Sequence, residues 1–291
     1  MSNAHGKKID KTYLSVDKAE ERGFIHRDYI AHCLRWSHVI KRLGEKHAFR
    51  SARILDIGCG RELPLAKLLY SSKYIVEQYY GVDVGPINDS ALSAFDSGKF
   101  PIKVWENTNI LEIQSQDLGD LGINWATMFE VAEHVEPLML IDMLVHIRKL
   151  MTHDGTFFVS TPCWNRTDVA ANHVNEMTYE AFGALLEGCG WNIANVSGTF
   201  ASIRDYESKL HVLGDQIPGI FNKLRSYYDT NFLSCIFAPL FPAQSRNCLW
   251  ELTPAGPDLS RKKKKFSKLT ECQRPWGSSE RWEEMAQLPL R

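Results

Sequence analysis

The 291-residue sequence contains no apolar run of about 18 residues, the length a membrane-spanning helix needs, and its polar N-terminus lacks the pattern of a secretory signal. It has no charge excess of either sign: 34 Lys and Arg against 35 Asp and Glu leave a formal net charge of -1. That excludes a global field that draws in nucleic acid and leaves room only for a local patch. The cysteine count is seven, an odd number, and none stands in a Cys-x-x-Cys pair. A zinc ribbon and a disulfide framework are thereby disfavoured, and reduced thiols in a cytoplasmic setting are expected. There are no internal repeats, and no Ser-His-Asp arrangement is legible.

What is present is enough apolar material to fold around. Hydrophobic residues make up 44% of the chain and charged residues 24%, the balance of a globular protein with a substantial core. From Phe24 to about Leu43 the apolar positions Tyr29, Cys33, Trp36, Ile40 and Leu43 recur at steps of three and four, which predicts an amphipathic helix. Arg27, Arg35 and Lys41 on it read as a solvated face. Short apolar runs then alternate with helical stretches. Strands are expected at Ala52–Ile57, Tyr79–Val84, Ile102–Trp105, Trp125–Phe129, Gly155–Ser160, Trp191–Val196 and Asn247–Leu252. Helices are expected at Leu63–Leu69, Ile87–Phe95, Leu138–Leu150 and Tyr179–Cys189. Strands alternating with helices imply an α/β fold with a parallel sheet covered on both faces.

The domain reading is a flexible segment at 1–22, one domain at 23–254 and a tail at 255–291. Within the domain, residues 203–245 form an insertion rich in aromatics, among them Tyr206, Phe221, Tyr227, Tyr228, Phe232, Phe237 and Phe241. It reads either as a lid over substrate or as a helical pair with the aromatics as its own core, and a mixture is expected. The tail carries a basic run, Arg261 to Lys265, which is either a solvated end or a contact for nucleic-acid phosphate.

The strongest motif is Ile54-Leu55-Asp56-Ile57-Gly58-Cys59-Gly60. A strand delivers an acidic residue and two glycines into a tight turn before a helix, at the strand end where open α/β sheets bind ligands. Asp83 closes the next strand 27 residues after Asp56, where a carboxylate can accept ribose hydroxyls. The dinucleotide pattern G-x-G-x-x-G is not met, since its last glycine falls on Leu63.

These residues resemble the class I S-adenosylmethionine-dependent methyltransferases, over about Ala52 to Trp250. The resemblance implies a Rossmann-like sheet of seven strands, mostly parallel, with an antiparallel last strand. It also implies that Asp56, Gly58 and Gly60 hold the methionine end of S-adenosyl-L-methionine and that Asp83 holds its ribose. Asn109 stands where the family contacts adenine, and Phe129 is assigned to cofactor binding with it. Glu62 stands where the family often has a third glycine.

A second constellation follows the fourth strand: Phe129-Glu130-Val131-Ala132-Glu133-His134-Val135. In a helix, Glu130 would share a face with Glu133 and His134. The later loop Asn172-His173-Val174-Asn175-Glu176-Met177-Thr178 is expected over the same sheet edge. Two glutamates and two histidines form an oxygen and nitrogen set suited to Mg²⁺, Mn²⁺, Fe²⁺ or Zn²⁺. Such an ion lowers the pKa of an acceptor hydroxyl. The run resembles the small-RNA 3′-terminal 2′-O-methyltransferases, which implies metal ligation by Glu130, Glu133, His134 and His173. It also resembles the ubiquinone-biosynthesis O-methyltransferases. Without metal, Glu133 and His134 would be helix-start and loop supports, and His134 or His173 becomes the general base.

The expected activity is therefore methyl transfer to a hydroxyl on a small molecule, a glycan or an RNA ribose, with Mg or Mn assistance and with His134, His173 and Glu133 as catalytic candidates. The alternatives are metal-free N-methylation of a base or small molecule, and a cofactor-binding protein without catalysis.

Overall fold

A computed structural model of the chain describes residues 27–46, 51–73, 75–95, 98–119, 121–165 and 172–255. The expected flexible segment at 1–22, the basic run and nearly all of the tail lie outside the described residues. In chain order the elements are helix α1 (Arg27–Lys46), β1 (Ala52–Ile57), α2 (Pro64–Ser71), β2 (Val76–Val82), α3 (Asp89–Ser93), β3 (Ile102–Trp105), β4 (Ile123–Phe129), α4 (Pro137–Leu150), β5 (Met151–Pro162), α5 (Tyr179–Gly188), β6 (Trp191–Phe200), α6 (Ile203–Tyr206), α7 (Ile217–Leu224), α8 (Thr230–Phe237) and β7 (Asn247–Pro254). The strands form one sheet in the order β3-β2-β1-β4-β5-β7-β6. The five strands from β3 to β5 run parallel, and the group β5-β7-β6 is antiparallel. This is a Rossmann-like sheet with its reversal at the end.

The centre of the sheet explains its own sequence. β1 is buried along nearly its whole length, as a parallel strand covered on both faces must be, and so it reads as an apolar run rather than an alternation. In α4, Pro137 supplies a preset first turn, and Leu140, Met143, Leu144, Ile147 and Leu150 repeat at helical steps as its buried stripe. Gly190, at φ 85°, ends the turn after α5 in a conformation that other residues rarely adopt.

The chain divides into two compact units, one of residues 39–195 with the end of β7, the other of the start of α1 with residues 196–249. In the first, Glu251 is buried and accepts from Arg42 (2.8 Å), while the Lys46 ammonium pairs with it at 2.7 Å. In the second, Tyr206, Phe221 and Phe241 are buried with Leu210 and Leu233, and Phe237 packs against them. Tyr227, Tyr228 and Phe232 of the same insertion are exposed. The insertion thus divides its aromatics between a core of its own and a surface. One expectation on α1 is corrected: Arg35 is only 2% exposed and belongs to the interior rather than to a solvated face, whereas Lys41 is exposed beside Glu45.

Candidate active site

The site is built at the carboxyl edge of β1, β2, β4 and β5, all in the first unit. After β1 the chain turns through Gly58 (φ 68°) and Gly60 (φ 72°), left-handed angles that glycine adopts without strain. A Cβ on Gly58 would lie 2.4 Å from Cγ2 of Val131, so the first glycine is also required by close approach. Asp83, at the end of β2, ties this turn to its own: one carboxylate oxygen accepts from the Gly60 N–H (2.8 Å) and the other from the Gly85 N–H (2.7 Å). A carboxylate oxygen can accept more than one hydrogen bond, so these two contacts are compatible with a carboxylate that also accepts hydroxyls. Glu62, which stands in place of a third glycine, closes the loop by accepting from Lys67 and from the Asn88 amide. Leu63 beyond it is buried at φ 48°, a left-handed angle carried without glycine.

Asp56 is placed lower, inside the sheet, and is 4% exposed. Its carboxylate accepts from the Tyr79 hydroxyl (2.6 Å) and the Thr127 hydroxyl (2.7 Å). Burial pushes its pKa up from 3.8 to about 6; the two hydroxyl bonds oppose that shift and the Asp83 charge adds to it. Neither hydroxyl partner was evident from the motif. The signal lies in sheet register, because Asp56 stands opposite Thr127 on β4 and beside Gly81, two residues beyond Tyr79 on β2. Asn109 caps a short 3-10 turn, accepting from the Leu111 N–H (3.0 Å), and its amide points to the Met139 sulfur. Phe129, half-buried, ends β4 opposite Ser160.

The acidic run after β4 is not an α-helix. Glu130 takes φ 56°, and only Ala132–His134 form a single 3-10 turn, so Glu130 and Glu133 do not share a helix face. The reason is local: the Glu130 N–H donates to the Ser160 carbonyl (3.0 Å), and the Ser160 hydroxyl donates to the Glu130 carboxylate (2.8 Å), which holds the residue in a left-handed turn against β5. Among the described residues, Glu133, His134 and His173 place ligand-capable atoms within 4.8 Å of one another, and Glu130 lies outside that trio.

The trio joins two segments far apart in sequence. The Val174 and Asn175 N–H groups both donate to the Glu133 carbonyl (2.8 and 3.1 Å), pinning the histidine loop to the acidic turn. The His134 Nδ1–H donates to the Asn172 carbonyl (3.0 Å), and the His173 Nδ1–H donates to the Glu176 carboxylate. In the neutral ring this arrangement puts the lone pair on Nε2, and Nε2 of His134 lies 3.9 Å from a Glu133 oxygen. The rings meet edge to face at 4.9 Å between centroids. Glu133 is 1% exposed, and one of its oxygens accepts from the Thr161 hydroxyl (3.1 Å). Burial first, and the Glu130 charge next, hold its pKa well above the ordinary 4.5.

Residues 26–196 match a family model described as a methyltransferase domain. The chain belongs to this family. It is an enzyme, an S-adenosylmethionine-dependent methyltransferase of class I. No curated protein matches the methyltransferase in sequence. Among solved structures it is similar to the Burkholderia thailandensis 1,6-didemethyltoxoflavin-N1-methyltransferase with bound 1,6-didemethyltoxoflavin and S-adenosylhomocysteine, at 14% identity over 88% of this chain and 92% of that one, TM-score 0.49. It is likewise similar to the magnesium protoporphyrin IX methyltransferase of Synechocystis PCC 6803 with bound SAH, at 13% identity over 86% and 100%, TM-score 0.49. The small-RNA methyltransferase HEN1 aligns at 16% identity over 76% of this chain and 25% of that one, TM-score 0.49.

Glu133, His134 and His173 fit a divalent cation. Two imidazoles are anchored through Nδ1 to a carbonyl and to a carboxylate, the outer-shell pattern that orients histidine ligands. The buried Glu133 carboxylate beside them would be favoured in its ionised form by a neighbouring positive charge.

Proposed function

We propose that this methyltransferase transfers the methyl group of S-adenosylmethionine to a hydroxyl oxygen, on a small molecule, a glycan or an RNA ribose, and that Glu133, His134 and His173 handle that hydroxyl together with Mg²⁺ or Mn²⁺. The observation that carries the reading is the convergence of these three side chains within 4.8 Å from two separated segments. On this reading Gly58 and Gly60 let the backbone approach the cofactor, Asp83 accepts its ribose hydroxyls, and Asp56 supports its methionine end. Asn109, in the loop after β3, and Phe129, at the end of β4, complete the seat.

Bound at the cluster, a divalent cation supplies Lewis acidity that lowers the pKa of the acceptor hydroxyl. The chain's own part is positional. His134 and His173 are anchored through Nδ1, Glu133 supplies a carboxylate oxygen from a dry position, and the clamp between Glu133 and residues 174–175 keeps the two segments in register. The same Nε2 lone pairs support a second reading, in which one histidine takes the acceptor proton directly and no cation is used.

Transfer of labelled methyl groups to pools of RNA, DNA and small molecules, with Mn²⁺ and with chelator, separates the two. The proposal expects chelator and Glu133→Gln each to reduce transfer by on the order of 100-fold, the scale on which losing one positioned electrostatic group is felt. Transfer indifferent to chelator, with a bell-shaped pH profile lost in His134→Ala or His173→Ala, overturns the cation reading in favour of the general base. Methylation confined to nitrogen acceptors overturns hydroxyl transfer.

A further inference from the structure

The cofactor turn and the cluster are two sites, but in this chain one residue touches both. This inference rests on the cation reading of Glu133, His134 and His173. We propose that Val131 is a positioning residue that mechanically couples the methyl-donor seat to the cation cluster, so that each ligand strengthens the binding of the other.

The path is short and contiguous. Cγ2 of Val131 fills the space over Gly58, where a Cβ would come within 2.4 Å of it. Gly58 is itself fixed to β2, its N–H donating to the Val82 carbonyl (2.8 Å), and Gly60 is fixed by Asp83. On the other side, the Val131 carbonyl accepts from the His134 N–H (3.0 Å) and so opens the 3-10 turn that carries Glu133 and His134. Ala132 and Glu133 are each 1% exposed, which leaves the turn no room to slide. Its entry is set by Glu130, held at φ 56° by two bonds to Ser160, and its exit is tied to the His173 loop through the Glu133 carbonyl.

A displacement or stiffening of the Gly58 turn therefore reaches Glu133 through one β-branched side chain, which has little rotamer freedom with which to absorb it. Packed interiors transmit such shifts because they contain no slack. Binding free energies linked in this way are reciprocal: what the cofactor does for the cation, the cation does for the cofactor.

The test is calorimetric and needs no acceptor. Mn²⁺ is titrated into the full chain with and without saturating S-adenosylhomocysteine, in the wild type, Val131→Ala and Val131→Thr. The expected result is at least about fivefold tighter Mn²⁺ binding with S-adenosylhomocysteine in the wild type, a ratio near one in Val131→Ala, and retention of the ratio in Val131→Thr, which keeps the side-chain shape. Melting curves without ligand confirm that each variant is folded. Mn²⁺ binding in the wild type that ignores S-adenosylhomocysteine, or a ratio undiminished in Val131→Ala, overturns the coupling and leaves the cation reading standing. Absence of Mn²⁺ binding in the wild type overturns the cation site itself, and the coupling with it.

Discussion

On the proposed function, Asp56 sets function against stability at a single residue. Its carboxyl is fully enclosed, and its pKa stands at about 6 against 3.8 for the ordinary group. A folded-state pKa raised above the unfolded value favours the fold while the group is protonated, below about pH 4, and that advantage is lost as pH rises through about 6. The displacement from 3.8 to about 6 corresponds to about 3 kcal/mol in order of magnitude. Asp56→Asn cannot ionise, so relative to wild type its stability without cofactor should climb by about that amount between pH 4 and pH 7.5. Denaturant unfolding at the two pH values measures it; parallel curves for the two proteins would count against the buried charge. The same variant should bind S-adenosylhomocysteine more weakly at pH 7.5, because the seat has lost its negative charge. Stability gained at a binding position at the expense of affinity is the usual trade.

At the scale of elements, the loop that carries His173 depends on the start of α5. Thr178 caps that helix, accepting from the Ala181 N–H (3.2 Å), and Glu176, just before the cap, fixes the His173 ring. Thr178→Ala should cost about 1 kcal/mol of stability, and Thr178→Ser little. In the sequence, Glu176 and Thr178 were legible only as members of a loop over the sheet edge; the structure gives the one a hold on His173 and the other a helix cap. The second unit makes a different prediction. α8 is apolar on two sides: Leu233 is 2% exposed in the core, whereas Ile236 is 42% exposed. Leu233→Ala should lower stability by about 2–5 kcal/mol and Ile236→Ser by under about 0.5 kcal/mol. Equal effects in chemical denaturation would mean that the outer face is covered. The sequence could not assign the aromatics of this insertion, because apolar periodicity marks a helix without saying which apolar face meets a partner.

Across the whole molecule, the parts written in one short stretch of chain were legible and the parts assembled by register were not. The β1 run, its glycine turn and Asp83 each declare themselves through apolar content, backbone freedom and spacing, and the alternation of strands and helices carries the sheet class. The Tyr79 and Thr127 hydroxyls on Asp56, the Ser160 grip on Glu130 and the seat of Val131 over Gly58 all arise between strands adjacent in space but separated in sequence. The acidic run invited a helix because Glu130, Glu133 and His134 have helical spacing; two bonds between Glu130 and Ser160, one in each direction, override that preference. Every step of the proposed function depends on the cofactor occupying the turn that Asp83 organises. The most direct measurement is calorimetric titration of S-adenosylhomocysteine into the wild type and Asp83→Ala. With Asp83 accepting the ribose hydroxyls as proposed, its removal should cost about 1–3 kcal/mol, a loss of roughly 5- to 150-fold in affinity. Equal affinity in the two proteins would contradict the placement of the cofactor and every step drawn from it.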